Sequence, residues 1–212
     1  STALATLTRT SHLNLKLTPH HLLLSGFAKN EETTASYLTH TLHSQTAGGM
    51  LLAPYLPQNT AMLQHFAFSN AEQLFATSQQ YRSQLQAGRI SATQDISLRK
   101  STLYPLFQGE IGHCTLATKH NKKEDQLVFI KVKEPQLFIE TLEGLHLLTA
   151  LSSKKLHLPS STYQLTNGYL QHGLLGHLFP AFEANFFTKI DDYIVLANSQ
   201  IGLQTWHTQY QQ

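Results

Sequence analysis

The chain contains few charged residues for its length. Asp, Glu, Lys and Arg make up 13% of its 212 residues, about half of the share that is usual in globular domains. The formal net charge is +2, and the basic residues form no cluster larger than pairs such as Lys122-Lys123 and Lys154-Lys155. Binding to nucleic acid requires a basic stripe that neutralises phosphates. The sequence therefore predicts no nucleic-acid partner.

Cysteine and long apolar segments are also scarce. Cys114 is the only cysteine, so the chain cannot form an internal disulfide. No apolar run approaches the ~20 residues that cross a bilayer, and the N-terminal stretch STALATLTRT lacks the apolar core of a signal peptide. The chain begins with Ser1 rather than Met, which predicts that it is a fragment of a longer protein whose export signal or anchor lies elsewhere.

The short motifs of common catalytic sites are absent from the sequence. It contains no G-x-S-x-G, H-E-x-x-H, P-loop or G-x-G-x-x-G pattern. His40 and His43 could face one ion from a predicted helix, but zinc needs three or four ligands. His113 and Cys114 are neighbours on a predicted strand and therefore point to opposite faces, so Cys114 is predicted to be a small buried apolar residue. The sequence predicts no catalytic, cofactor-binding or metal-binding residue.

A few carboxylates and tyrosines are candidates for catalysis or for sugar binding. Glu110 and Glu183 could each be half of a carboxylate pair, with histidines as further acids and bases. Asp191-Asp192 lies between two apolar runs in FFTKIDDYIVLANSQ, where a two-residue hairpin turn is the predicted structure. Tyr55 and Tyr169 could stack on sugars if they are exposed, although packing against the protein is the commoner use of such rings.

One order of elements recurs in four segments, which are residues 12–42, 59–85, 109–148 and 186–210. Alternating apolar residues predict strands, and apolar residues three or four apart predict the helix that follows. The strand connections are too short for the crossovers of a parallel sheet. The sequence therefore predicts an α+β fold with mainly antiparallel sheets and helices packed on one face. The recurring unit is one strand, or two strands joined by a turn, followed by a helix.

The fourth segment gives the most specific local prediction. Phe186–Ile190 and Tyr193–Ala197 are predicted to be strands on either side of the Asp pair. Asn198 or Ser199 then caps a helix, in which the spacing of the apolar side chains places three of them on one face: Leu203, Trp206 and Tyr210.

The domain organisation follows from polarity along the chain. Residues 88–102 are the least apolar stretch between the segments. They are predicted to be a linker between two similar halves of one α+β region, at about 1–87 and 103–212.

Several phrases resemble a family of large envelope-associated proteins of Gram-negative bacteria that have repeated hairpin–helix units. They include LNLKLTPHHLLLSGF, LPQNTAMLQHFAFSNAEQLF, LYPLFQGEIG, LVFIKVKEPQLFIETLEGL and FFTKIDDYIVLANS. The resemblance implies a protein on the periplasmic or extracellular face of the envelope, with a lipoprotein or membrane-anchored parent. The resemblance implies no particular activity, cofactor or catalytic residue.

Three functions remain open from the sequence. The favoured one is a non-enzymatic envelope module that binds or scaffolds a macromolecular or glycan partner and meets the membrane only through a segment outside this chain. A small-ligand sensor with a pocket between the halves is the first alternative. A hydrolase with an unrecognised acid–base site is the second.

Overall fold

A computed structural model provides the fold. It describes residues 11–19, 22–28, 41–42, 45–77, 102–117, 124–144, 148–150, 162–165, 175, 178–179 and 182–211. The chain divides into two compact units: the first comprises Ser1–Thr46 and Gln73–Ser91, and the second comprises Ala47–Glu72 and Ala92–Gln212.

The first unit contains an antiparallel hairpin. Strands β1 (Ser11–Leu17) and β2 (Leu22–Ala28) pair in continuous register. The ring of His12 stacks on its cross-strand partner Phe27 with a centroid distance of 5.0 Å. The two strands predicted for this segment are confirmed, and most of the helix predicted after Asn30 lies outside the described residues.

The second unit contains an open antiparallel sheet. Its strands are β3 (Thr60–Ala67), β4 (Phe107–Leu116), β5 (Gln126–Val132), β6 (Leu148–Ala150), β7 (Thr162–Leu165), β8 (Phe186–Ile190) and β9 (Tyr193–Ala197). They lie in the order β3-β4-β5-β9-β8-β7-β6, and every described pairing is antiparallel. The α+β class and the antiparallel sheet are confirmed. Because β3 pairs with β4, this sheet draws strands from both predicted halves, and residues 88–101 of the predicted linker lie outside the described residues.

Three helices are described over seven or more residues. They are α1, described over residues 71–77, α2 (Pro135–Gly144) and α3 (Gln200–Tyr210). Ser199 caps α3, because its hydroxyl accepts a hydrogen bond of 2.9 Å from the backbone N–H of Gly202. Among the described residues, no helix combines the length and apolar character that a membrane span requires.

Helices α2 and α3 pack on opposite faces of the sheet. Trp206 of α3 contacts Phe129 of β5 edge-on, with ring centroids 5.7 Å apart. The ring centroid of Phe138 in α2 lies 6.1 Å from that of Phe107. Phe107 is the cross-strand partner of Val132, so these two side chains are on the same face of the sheet. Val132 is three residues from Phe129 on β5 and so points the other way. The prediction that the helices share one face is therefore wrong, and every residue of β9 is buried between the two layers.

The recurring unit is not shown by the structure. The segments β4-β5-α2 and β8-β9-α3 have the same order of elements. Strands β5 and β9 are antiparallel neighbours. If the two hairpins were equivalent copies, a twofold axis perpendicular to the sheet would relate them, and their helices would lie on the same face of the sheet. Since the helices lie on opposite faces, the two segments are not equivalent copies.

On the α3 face, the side chain of Leu52 packs closely against the backbone of Gly112. Leu52, which is fully buried, lies over Gly112 of β4, where an added Cβ would come within 2.0 Å of the Leu52 Cδ2 atom. The absence of a side chain at Gly112 lets the segment at 47–58 cross the sheet. This brings Tyr55 towards the end of the sheet where β9 begins, as its ring contact with Tyr193 shows.

Candidate functional site

Glu110 is a buried carboxylate that collects polar groups from three parts of the second unit. Its side chain accepts hydrogen bonds from the Leu51 backbone N–H at 3.1 Å and from the Tyr193 hydroxyl. Its Oε2 atom also lies 2.8 Å from Nε2 of His65. Glu110 is only 1% exposed, so these groups replace the water that would otherwise solvate the carboxylate.

The sheet register explains how these residues meet. Ala67 pairs with Glu110 and His65 pairs with Gly112, so His65 and Glu110 are diagonal neighbours on one face. Gly109, with a φ of 81°, lies where the pairing between β4 and β5 shifts register. Such a bulge changes the direction of the side chain that follows it.

Tyr55 connects this buried cluster to the protein surface. Its ring centroid lies 4.6 Å from that of Tyr193 and 5.8 Å from that of Tyr210, which is nearly parallel to it. The Tyr55 hydroxyl donates to Oδ2 of Asp191 at 2.9 Å, and the Tyr210 hydroxyl donates to the same atom at 3.4 Å. We call the side chains of Tyr55, Asp191, Asp192 and Tyr210 the tyrosine–aspartate surface.

The titration behaviour of the tyrosines follows from this arrangement. Burial and, second to it, the hydrogen bond to Asp191 raise the pKa of Tyr55 to about 12. Burial and the hydrogen bond to Glu110 raise the pKa of Tyr193 above its ordinary value. Both hydroxyls therefore keep their protons at neutral pH and act as donors to the two carboxylates.

Asp191 combines a backbone role with a side-chain role. Its φ of 46° is in the left-handed region, which Asp and Asn tolerate better than most residues. With Asp192 it forms the two-residue turn between β8 and β9, so the predicted hairpin turn is confirmed. The two tyrosine hydroxyls on its carboxylate are an addition that the local sequence did not predict.

Trp206, on the core side of the tyrosine–aspartate surface, holds the backbone of Tyr55 in place. Its indole N–H donates to the backbone carbonyl of Tyr55 at 2.8 Å, and its ring lies 6.0 Å from that of Tyr210. The tryptophan is 1% exposed. The tyrosine–aspartate surface is therefore attached to the core through both of its rings.

No family model matches the chain, and no curated protein or solved structure is significantly similar to it. The functional interpretation consequently depends on the residues themselves.

The structure places Cys114 and His113, which the sequence analysis considered as a possible catalytic pair, outside the Glu110 cluster. Cys114 is fully buried on the α3 face, where burial raises the pKa of its thiol to about 12. His113 lies on the opposite face, so the prediction that these neighbours cannot pair is confirmed.

Glu183 is exposed and is not among the hydrogen-bond partners of Glu110. His40, His43 and Tyr169 lie outside the described residues. Within the part of the chain that the structure describes, no three His, Cys, Asp or Glu residues are grouped to hold a metal ion.

Sequence reasoning missed His65, Tyr193 and Tyr210 as members of the site. Each one occupies an ordinary strand or helix position, and its partner is distant along the chain. The only local signal is the polar His65 two residues from Leu63 on the core-facing side of β3, which is partly buried against the core.

Proposed function

We propose that the protein is a non-enzymatic cell-envelope binding module that contacts a neutral glycan through the tyrosine–aspartate surface. The observation that carries this proposal is the exposed Asp191 carboxylate, which two tyrosine hydroxyls hold beside a 40% exposed Tyr210 ring. An aromatic ring next to a fixed carboxylate offers an apolar platform and an acceptor at one place.

The chemistry of the surface favours a sugar without negative charge. A pyranose ring presents C–H groups that can pack on the Tyr210 ring, and hydroxyls that can donate to a carboxylate. Asp191 and Asp192 are adjacent and exposed, so an acidic polysaccharide would meet repulsion between like charges. No basic side chain forms an ion pair with either aspartate among the described residues.

The surface is also organised before binding. The turn fixes the backbone of Asp191, the hydroxyls of Tyr55 and Tyr210 orient its carboxylate, and Trp206 fixes the backbone of Tyr55. A ligand that binds there avoids much of the entropy cost of ordering these side chains.

The envelope setting is supported by the sequence. The low charge content and the resemblance to envelope-associated proteins both favour the periplasmic or extracellular face, where glycans are abundant. Glycan binding and scaffolding do not require the catalytic motifs that the sequence lacks.

Tyr210→Ala tests the glycan proposal. We expect neutral cello-, malto- or chito-oligosaccharides to bind in calorimetric titrations, and the substitution to weaken binding about fivefold or more, since an aromatic contact contributes about 1 kcal/mol. Tyr210→Phe is the matched control: it keeps the ring and should retain most of the affinity. Binding of polyuronate or of a quaternary ammonium compound instead, or of none of these probes, would contradict the proposal.

A second candidate function is acid–base hydrolysis at His65. Its side chain is 20% exposed, and its Nε2 atom lies against Glu110, an arrangement in which a carboxylate orients an imidazole and leaves the other nitrogen able to accept a proton. Fluorogenic esters and glycosides provide the test. Turnover that His65→Gln abolishes, while Tyr210→Ala leaves it unchanged, would favour hydrolysis over the non-enzymatic proposal.

A further inference from the structure

A second polar site lies on the α2 face of the sheet, separate from the tyrosine–aspartate surface. His113 of β4 is 6% exposed, and its Nδ1 atom lies 3.0 Å from the side-chain oxygen of Gln64. Because that oxygen can only accept, Nδ1 carries the proton of the neutral ring. The Nε2 atom therefore carries a lone pair and is an acceptor.

Two buried polar atoms on this face have no hydrogen-bond partner within the described part of the chain. They are Nε2 of His113 and the hydroxyl oxygen of Thr115, which is 5% exposed. The two residues are separated by one position on β4, so their side chains point the same way and start about 7 Å apart. Buried polar atoms of this kind almost always have a partner, and two on one strand face point to a molecule that bonds both.

The described neighbours of His113 include two phenylalanine rings and the uncharged side-chain amides of Gln64 and Gln126. The ring centroids of Phe179 and Phe182 lie 4.8 and 5.8 Å from that of His113. Burial lowers the pKa of His113, and hydrogen bonding to the side-chain amide of Gln126, the cross-strand partner of Thr115, has the opposite, smaller effect. A charged ligand would lose its hydration in these surroundings without an opposite charge to replace it.

We propose that His113 and Thr115 form a binding site for a small neutral alcohol or phenol, whose O–H donates to Nε2 of His113 and whose oxygen accepts from the Thr115 hydroxyl. The apolar part of the ligand packs against Phe179 and Phe182. One hydroxyl group satisfies both protein atoms, since it is a donor and an acceptor at once. This proposal is independent of the glycan proposal, because it uses the other face of the sheet.

Phenol and benzene are the matched probes, because they share a ring and differ in the hydroxyl. The readout is the ¹⁵N shift of His113 Nε2 in the full chain, with the melting temperature as a second measure. We expect phenol to produce a saturable shift with an affinity about thirtyfold higher than that of benzene, which corresponds to two net hydrogen bonds of about 1 kcal/mol each. If neither probe gives a saturable shift, or if both bind equally, the proposal is wrong.

Thr115→Val and Thr115→Ser separate binding from folding. Valine has nearly the shape of threonine but no hydroxyl, so it should preserve the fold and weaken phenol binding about fivefold to tenfold. Serine keeps the hydroxyl and should bind phenol like the original chain. An unchanged phenol affinity in Thr115→Val overturns the assignment, as does an ordered water between Nε2 and the hydroxyl that phenol fails to displace.

Discussion

Trp206→Ala is expected to lower the free energy of unfolding by about 3–5 kcal/mol, the usual cost of emptying a fully buried aromatic position. The side chain lies between the sheet and the aromatic rings at the surface, in contact with Phe129 and Tyr210. Its removal also leaves the backbone carbonyl of Tyr55 without the indole donor. Urea unfolding followed by far-ultraviolet circular dichroism measures the change.

Trp206→Phe is the control for this prediction. It keeps a ring beside Phe129 but removes the indole N–H, so we expect a loss of about 1–3 kcal/mol from the smaller volume and the unpaired carbonyl. The difference between the two variants measures the contribution of the one ring that Trp206→Phe keeps. A loss below about 0.5 kcal/mol in Trp206→Ala, within the range of surface substitutions, would mean that α3 does not cover the sheet as described.

Glu110→Ala is expected to destabilise the fold by about 3–5 kcal/mol, because removal of one partner from a buried polar cluster leaves the others unpaired. The groups left behind are the backbone N–H of Leu51, the hydroxyl of Tyr193 and the ring nitrogen of His65. Each of them is attached to a different segment, so the substitution loosens the 47–58 segment and the first residue of β9 together. Urea unfolding at pH 7 measures the loss.

Glu110→Gln is the matched variant. Its side-chain oxygen can still accept from Tyr193, but the amide nitrogen faces the other donors, so we expect a loss of about 1–3 kcal/mol. The order Ala, then Gln, then the original residue is the expected order of increasing stability. If Glu110→Gln is as stable as the original protein, the negative charge of Glu110 does not contribute to the stability of the fold.

The local elements could be predicted because their signals are contained in short stretches of sequence. The β8 and β9 strands alternate or run apolar between turn residues, and Ser199 precedes the helical spacing of Leu203 and Trp206. The faces could not be assigned in the same way. The apolar runs LVFI and YIVLA were a signal that both sides of β5 and β9 are covered, but which helix covers which side depends on long-range pairing.

The site was harder to predict because its contacts join distant residues. His65 and Tyr193 are separated from Glu110 by 45 and 83 positions. No periodicity in a single strand specifies that β3, β4 and β9 bring these side chains together. Asp191 illustrates the limit: its turn conformation follows from two adjacent residues, whereas its hydroxyl partners come from the 47–58 segment and from α3.

Trp206 is the only tryptophan of the chain, and its position makes it an intrinsic optical probe. All of the indole fluorescence originates from a ring that is shielded from water and bonded to the backbone of Tyr55. Tyr55 and Tyr210 are close enough to transfer excitation energy to it. A molecule that settles on Tyr210 would alter this emission without any attached label, so occupancy of the surface can be followed in the unmodified protein.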